Sequence, residues 1–313
     1  MNVLYPLIIV SFLLISQSAS AHLKWFVNNE QLITSNIQYS LNSIEVIIWT
    51  LICIGLIVFS FWLNRNIKSQ INVNKSSENI IFRIFLILVG TSLIFASYSE
   101  SIVASHYVVT NKFLVILQYM QAIVGMMLLF NVFVTAASCI LILIYASLIT
   151  QFGIIELLDY LNILGIALFI IFFKQTDEQQ KRLAVPLIRI FTGIALAVLA
   201  FSEKLLNPNL GLNFLQVHEW NFMKTLGIES YSNELFILSA GFVELLIGVL
   251  FILGIITRTN TIILLCFMIT SNVIFLVQDS FINALIELAG HLPVIAIAII
   301  LISFGSGKKW KIQ

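Results

Sequence analysis

The chain reads as an all-α polytopic membrane protein of about nine transmembrane helices. They form two parallel four-helix repeats, with one extra N-terminal helix ahead of them. Three observations predict this. The composition is 60% hydrophobic and 10% charged, with a mean hydropathy of +1.03, whereas a soluble domain holds roughly 25% charged residues. Apolar runs of about 18 residues or more recur, long enough for a helix to cross a bilayer, and the alternating segments of a β-barrel do not occur. Finally, the stretch 186–304 reads as a second copy of 80–173.

Residues 1–21 have the form of a secretory signal, with an apolar core from Val3 to Ile15 and Ala19-Ser20-Ala21 as a small-x-small cleavage site. The expected spans are 43–63, 80–98, 113–131, 133–150, 157–173, 184–203, 233–253, 260–277 and 285–304. Cleavage of the leader would put the mature N-terminus outside. Arg65, Lys68 and Lys75, then Lys174, Lys181 and Arg182, then Arg258, and finally Lys308, Lys309 and Lys311 all fall inside, as the positive-inside rule requires. The outer segments hold Lys24, Lys112, Lys204 and Lys224. The expected units are the signal (1–21), a periplasmic N-terminus with the first span (22–79), a degenerate repeat (80–175), a better-preserved repeat (184–305) and a basic cytoplasmic tail (306–313).

The repeat is visible as sequence. IFRIFLILVGTSLIFASYSE in the first copy faces PLIRIFTGIALAVLAFSE in the second. QAIVGMMLLFNVFVTAASCIL aligns with ELLIGVLFILGIITRTNTIIL, and LLDYLNILGIALFIIF with LIELAGHLPVIAIAII. Each copy holds an even number of spans, so both have the same orientation. Such parallel repeats pair about an axis along the membrane normal.

Ionisable residues inside the spans are the informative ones, because one at a helix centre costs about 2.5–3.5 kcal/mol on insertion scales. Glu244 lies near the middle of its span and faces Gln121 in the first copy. It either bonds a neighbouring helix as a neutral acid or serves a proton or ligand. Glu287 and His291, four apart on one helix face, correspond to Asp159 and Ile163. A carboxylate–imidazole pair can hold a proton, bind a metal or hydrogen-bond a quinone carbonyl; it can equally tie two helices together beside Pro293. Glu203 ends its span beside Lys204, with Glu100 as its counterpart. It reads as an interfacial charge pair or as part of an outer mouth shared with Glu287 and His291 in the second copy. Arg83 and Arg189 open equivalent helices and are expected to snorkel to the inner surface. Aromatics of the long outer loop, Trp220 among them beside His218 and Glu219, are expected as interface anchors.

Cys53, Cys139 and Cys266 fall in apolar runs without a C-x-x-C pair, so they read as small buried hydrophobes. Cleavage after Ala21 would expose His22 as the N-terminal residue. Its α-amine and imidazole could chelate Cu(II) with help from His106 or His218, although a signal peptidase tolerates most residues at that position. There is no Walker loop, dinucleotide-binding glycine motif, G-x-S-x-G or H-E-x-x-H. The net charge of +1 and the lack of basic–aromatic blocks argue against a nucleic-acid partner.

The second copy resembles the DoxX/DoxD family of small four-helix bacterial membrane proteins. The resemblance rests on Leu187-Ile188-Arg189-Ile190-Phe191-Thr192-Gly193 leading to Ser202-Glu203-Lys204-Leu205. It continues with Glu244-Leu245-Leu246-Ile247-Gly248, Leu253-Gly254-Ile255-Ile256-Thr257-Arg258 and Ala289-Gly290-His291. It covers about 185–305 closely and 80–173 loosely. It implies a protein of the bacterial inner membrane, embedded in the lipid bilayer, and in some members a subunit of a quinone-linked oxidoreductase with a periplasmic redox partner.

Three functions fit these residues. In the first, Glu287, His291 and Glu203 bind or protonate a quinone headgroup, with Glu244 assisting as a cofactor-binding residue. The chain has neither redox cysteines nor a haem-ligand pair, so electrons would come from a partner. In the second, Glu244, Glu287 and His291 line the path of a small-solute or metal-ion permease. In the third, the acids only fix helix packing in an assembly protein.

Overall fold

The computed structural model describes residues 39–66, 74–218, 220–278, 281–307 and 310. The leader, His22, Lys68, Lys308, Lys309 and Lys311 lie outside them. The chain is helical and membrane-spanning: among the described residues, eight helices are long and apolar enough to cross a bilayer.

Helix α1 (Ile44–Asn66) precedes the first set, formed by α2 (Lys75–Tyr98), α3 (Lys112–Leu129), α4 (Val134–Phe152), α5 (Ile154–Leu158) and α6 (Leu161–Phe173). A short antiparallel hairpin, β1 (Ser101–Ile102) and β2 (Ala104–Val108), joins α2 to α3. After α7 (Glu178–Lys181) comes the second set: α8 (Ala184–Ala200), running into a π-turn (Phe201–Leu205), then α9 (Asn209–His218), α10 (Phe222–Thr225), α11 (Asn233–Leu253), α12 (Thr257–Gln278) and α13 (Phe281–Phe304).

The helices begin where side chains can hold the first free amides. Asn74 accepts from Ser77 N at 2.8 Å, Asn111 from Leu114 N at 3.0 Å and Ser232 from Leu235 N at 3.2 Å. Helix α11 stops at Gly254, whose φ of +72° is the left-handed cap that glycine adopts without a Cβ clash.

The expected span 157–173 departs most from expectation. It divides at Asp159 and Tyr160 into α5 and α6. The 13 residues of α6 cover about 20 Å at about 1.5 Å per residue, short of a hydrocarbon core about 30 Å thick. The break therefore seats Asp159 below the end of the bundle, where it is only 6% exposed.

Packing follows a cyclic order. Within the first set α2 packs on α3, α3 on α4 and α4 on α6. Within the second, α8 packs on α11, α11 on α12 and α12 on α13. The ring closes by exchange: the last helix of each set lies against the first helix of the other, α6 on α8 and α13 on α2. The α2–α3 contact centres on Gly90, where a Cβ would come 2.6 Å from the Gly125 carbonyl oxygen. The α8–α11 contact centres on Gly193, where a Cβ would come 2.6 Å from that of Gly248. Small residues let backbones approach in lipid, where no hydrophobic force draws helices together. The two contacts are built alike, glycine backbone against glycine backbone. Helix α1 stays outside the ring, resting on α11 through stacked Trp49 and Phe242 with ring centres 6.2 Å apart.

At the end of the bundle that bears α7, Arg189 does not snorkel. It is fully buried and donates to the carbonyls of Phe251, Ile252 and Trp310. The first two lie in the last turn of α11, where Gly254 N also reaches Phe251 O at 3.1 Å and a fixed cation opposes the helix dipole. Arg258 does the same for α13, donating to Ile302 O at 2.8 Å and Ser303 O at 3.1 Å. The cysteines also differ from expectation: Cys139 and Cys266 are exposed on the outer face of the bundle and Cys53 is half-buried. An outward thiol in a lipid-facing position meets hydrocarbon, so the apolar runs around these residues did not require burial.

Candidate functional site

Lys204 owes its position to the π-turn. Helix α8 runs regularly to Ala200, and then Leu206 N bonds back five residues to Phe201 O at 2.9 Å. Such a widened turn inserts one residue and swings the following side chains about 100° round the axis. Ser202 and Glu203 become buried, and Lys204 points inward. Lys204 Nζ lies 2.7 Å from Glu244 Oε2 and 3.8 Å from Glu203 Oε2. Ser202 Oγ donates to Asp159 Oδ1 at 3.3 Å. The end of α8 is thus tied to the middle of α11 and to the α5–α6 break.

A second polar group forms between α12 and α13. Glu287 Oε1 lies 3.3 Å from His291 Nε2, and both residues are buried. Asn272 Nδ2 donates to Met268 O at 2.9 Å and contacts His291 Nδ1 at 3.0 Å. The carbonyl fixes the amide orientation, so Nδ1 accepts and the ring N–H sits on Nε2, toward Glu287. Ser271 Oγ donates to the same Glu287 oxygen at 3.5 Å.

Both groups open on one cavity of about 410 Å³, lined by Asp159, Asn162, Lys204, Glu244, Glu287 and His291. Its remaining wall is largely apolar, with Phe95, Leu199, Phe214, Trp220, Phe267 and Met268. The cavity lies between the two sets, toward the end that bears the hairpin. It draws on α2 and α6 from the first set and on α8, α11, α12 and α13 from the second.

The hairpin roofs the first set. Gln121, the counterpart of Glu244, is fully buried there: its Oε1 accepts from Val103 N at 2.6 Å, and its Nε2 donates to Leu93 O and Ser97 Oγ. The α5–α6 break is braced by two tyrosines, one from the hairpin and one from α4. Tyr107 Oη donates to Glu156 O at 2.8 Å, and burial pushes its phenol above the usual range, so it remains a donor. Tyr145 Oη donates to Leu157 O at 2.5 Å.

The sequence-derived site residues fare differently. Glu244, Glu287 and His291 line the same cavity, although spacing alone put Glu244 far below the other two. Glu203 lies behind Lys204, fully buried, and not at an interface; Glu100, its counterpart, is exposed in a turn at φ 54°. Helix α2 ends there, whereas α8 carries on as the π-turn, and this separates the two glutamates. Trp220 packs edge-on against Phe214, ring centres 4.9 Å apart, and lines the cavity. The site is not confined to the second set, because Asp159 enters from the first. Neither Lys204 nor Asp159 stood among the expected site residues: Lys204 read as the neighbour of Glu203 in an interfacial charge pair, and Asp159 as the counterpart of Glu287. The usable signals were the acid common to both copies at 159 and 287, and a lysine directly following a glutamate at the end of a span. Among the described residues, no group of three or more His, Cys, Asp or Glu is placed to hold a metal ion.

The fold and the cavity define a multi-pass α-helical membrane protein with a polar site buried between two four-helix sets. Residues 184–277 match the DoxX family model, so this segment, from α8 through nearly all of α12, is DoxX-like. The matched segment includes Glu203, Lys204 and Glu244; Asp159, Glu287 and His291 lie outside it. No curated protein and no solved structure matches the chain.

Proposed function

We propose that the chain is an inner-membrane accessory subunit of a membrane redox system, and that it binds a quinone-class molecule in the cavity between its two helix sets. One observation carries this reading: a largely apolar cavity of about 410 Å³ whose polar groups are gathered at Lys204–Glu244 and Glu287–His291. Ligand sites commonly measure about 300–1,000 Å³, with apolar walls and a few convergent polar groups. A quinone has that character: a flat apolar ring with a carbonyl at each end. The Nε2–H of His291 and the ammonium of Lys204 are donors suited to those carbonyls, and Glu287 orients the imidazole. A periplasmic redox partner would supply or take the electrons, and the cavity would lie toward the periplasmic side.

A permease needs a route past the site to the other membrane face. Toward the α7 end the two sets instead pack directly: Phe173 of the first meets Phe304 of the second edge-on with ring centres 6.0 Å apart, beside buried Ile188, Ile300 and Leu301. That packing favours a binding site over a path.

The test is binding of decylubiquinone to the full chain in nanodiscs, followed by quenching of Trp220 fluorescence and by calorimetry. Saturable binding in the micromolar range is expected. It should fall at least tenfold in His291→Ala and in Ala240→Phe, which fills the cavity. Absence of saturable binding, together with no quinone in organic extracts of the purified protein, would overturn the reading.

A further inference from the structure

Helix α12 packs chiefly on α13 and meets α11 near the turn that joins the two, where Asn260 Nδ2 donates to Ile247 O at 2.9 Å. Beyond that bond both helices face the cavity. Phe236, Ala240 and Glu244, four apart, form a stripe on α11, and Leu264, Met268 and Ser271 form one on α12. Phe267 also lines the cavity and is nonetheless 48% exposed, which marks a break in the wall. Counted from Thr257, it is the eleventh of the 22 residues of α12, about 16 Å from either end at about 1.5 Å per residue. That depth lies inside a hydrocarbon core about 30 Å thick. Glu244 is the twelfth of the 21 residues of α11, so a charged group of the site stands at the same depth. Phe95 and Ser99, exposed lining residues at the end of α2, mark a second opening near the hairpin.

We propose that the ligand enters sideways from the bilayer, between α11 and α12, and that it is a neutral molecule whose long alkyl or isoprenoid tail remains in that gap. On the reading that the ligand is of the quinone class, its ring passes Phe267 to reach Lys204–Glu244 and Glu287–His291, and its tail stays among the acyl chains. Neither part then has to cross water. The depth of the gap also selects the headgroup. A phosphate is costly to carry to mid-membrane. The carboxylates of Asp159, Glu244 and Glu287 outnumber the ammonium of Lys204 on this cavity, so an anion is repelled. A quinone ring carries no charge. Helix α1 packs on the opposite face of α11, at Phe242, two residues from both Ala240 and Glu244, and so leaves the gap to lipid.

The experiment is photo-cross-linking of the full chain in nanodiscs, using a quinone with the ring of decylubiquinone and a diazirine at the end of its tail. Mass spectrometry should place the label on the facing edges of α11 and α12, at residues such as Leu264 and Phe267, and excess decylubiquinone should lower it about tenfold. Label confined to Phe95, Ser99 or the hairpin would overturn side entry. A phospholipid with the diazirine in its acyl chain should label outward residues such as Ile262 and Ile269, which are exposed. Label from it on Glu244 or Met268 that decylubiquinone displaces would overturn selection by the headgroup. Phe267→Trp narrows the gap at a lipid-facing position. It should weaken decylubiquinone about fivefold and leave the same ring without a tail unaffected. Equal loss of both, or loss of neither, would overturn the place of the tail. Each of these failures, with saturable quinone binding intact, leaves the proposed function standing. Binding of neither the tailed nor the tailless ring would overturn the proposed function and this inference together.

Discussion

Two buried cations organise opposite parts of the molecule, and they respond differently to substitution. Arg189 spreads several donors over the carbonyls that end α11 and over Trp310 in the tail. A lysine can reach one of these groups but not all. Arg189→Lys is therefore expected to lower stability by about 2 kcal/mol and Arg189→Met by about 3 kcal/mol, in line with charged hydrogen bonds of roughly 1.5–3 kcal/mol. Unfolding in a mixed-micelle SDS titration measures both. Lys204 is different because it neutralises two glutamates. Lys204→Met leaves Glu203 and Glu244 facing each other without a cation, and breaking such a buried pair costs about 3–5 kcal/mol. The double variant Lys204→Met with Glu244→Gln should recover at least half of that loss in the same titration. Glu244 was legible in the sequence because a charge in mid-span is conspicuous. Its partner was not, because Lys204 lies just past the apolar run and a lysine there ordinarily reaches toward water. Only the π-turn reverses its direction, and no composition rule signals an inserted residue.

Among the elements, the long helices were readable because hydropathy and length decide them. The fine structure between them was not. The hairpin after α2, the α5–α6 break and the π-turn each depend on polar contacts across the bundle: Gln121 to Val103, Tyr145 to Leu157, and Ser202 to Asp159. A single sequence does not display such pairings. The glycine pairs, in contrast, lie inside long apolar helices, at contacts built alike in the two sets. Replacing Gly193 by Val would force α8 away from the Gly248 backbone, at an expected cost of about 1–3 kcal/mol. The same change at Gly55, which has open space within 4 Å, should cost less than about 0.5 kcal/mol. Stability by SDS titration distinguishes the two sites and tests whether the α8–α11 contact has the geometry described.

For the molecule as a whole, the outward thiols report how the bundle sits in lipid. Cys139 and Cys266 are exposed on the faces of α4 and α12, which belong to membrane-spanning helices. A lipid-soluble maleimide should label both faster than half-buried Cys53, and a membrane-impermeant reagent should label neither until detergent is added. Mass spectrometry of the labelled chain reads the result.

The exchanged packing, α6 on α8 and α13 on α2, has a consequence for what each half could do by itself. Cut in the segment around α7, either half would lose the surface that covers its first helix and the one that covers its last. Such a fragment has matching bare faces on one body, one at each end of its chain. The second half expressed without the first should therefore self-associate as a homodimer, setting α8 of one copy in the place that α2 now occupies, against α13 of the other. The covalent chain converts that would-be encounter between molecules into an internal one. It also makes the two partners unequal, so that one set can fill its interior with Gln121 and the hairpin while the other leaves its acids and its lysine open to a guest.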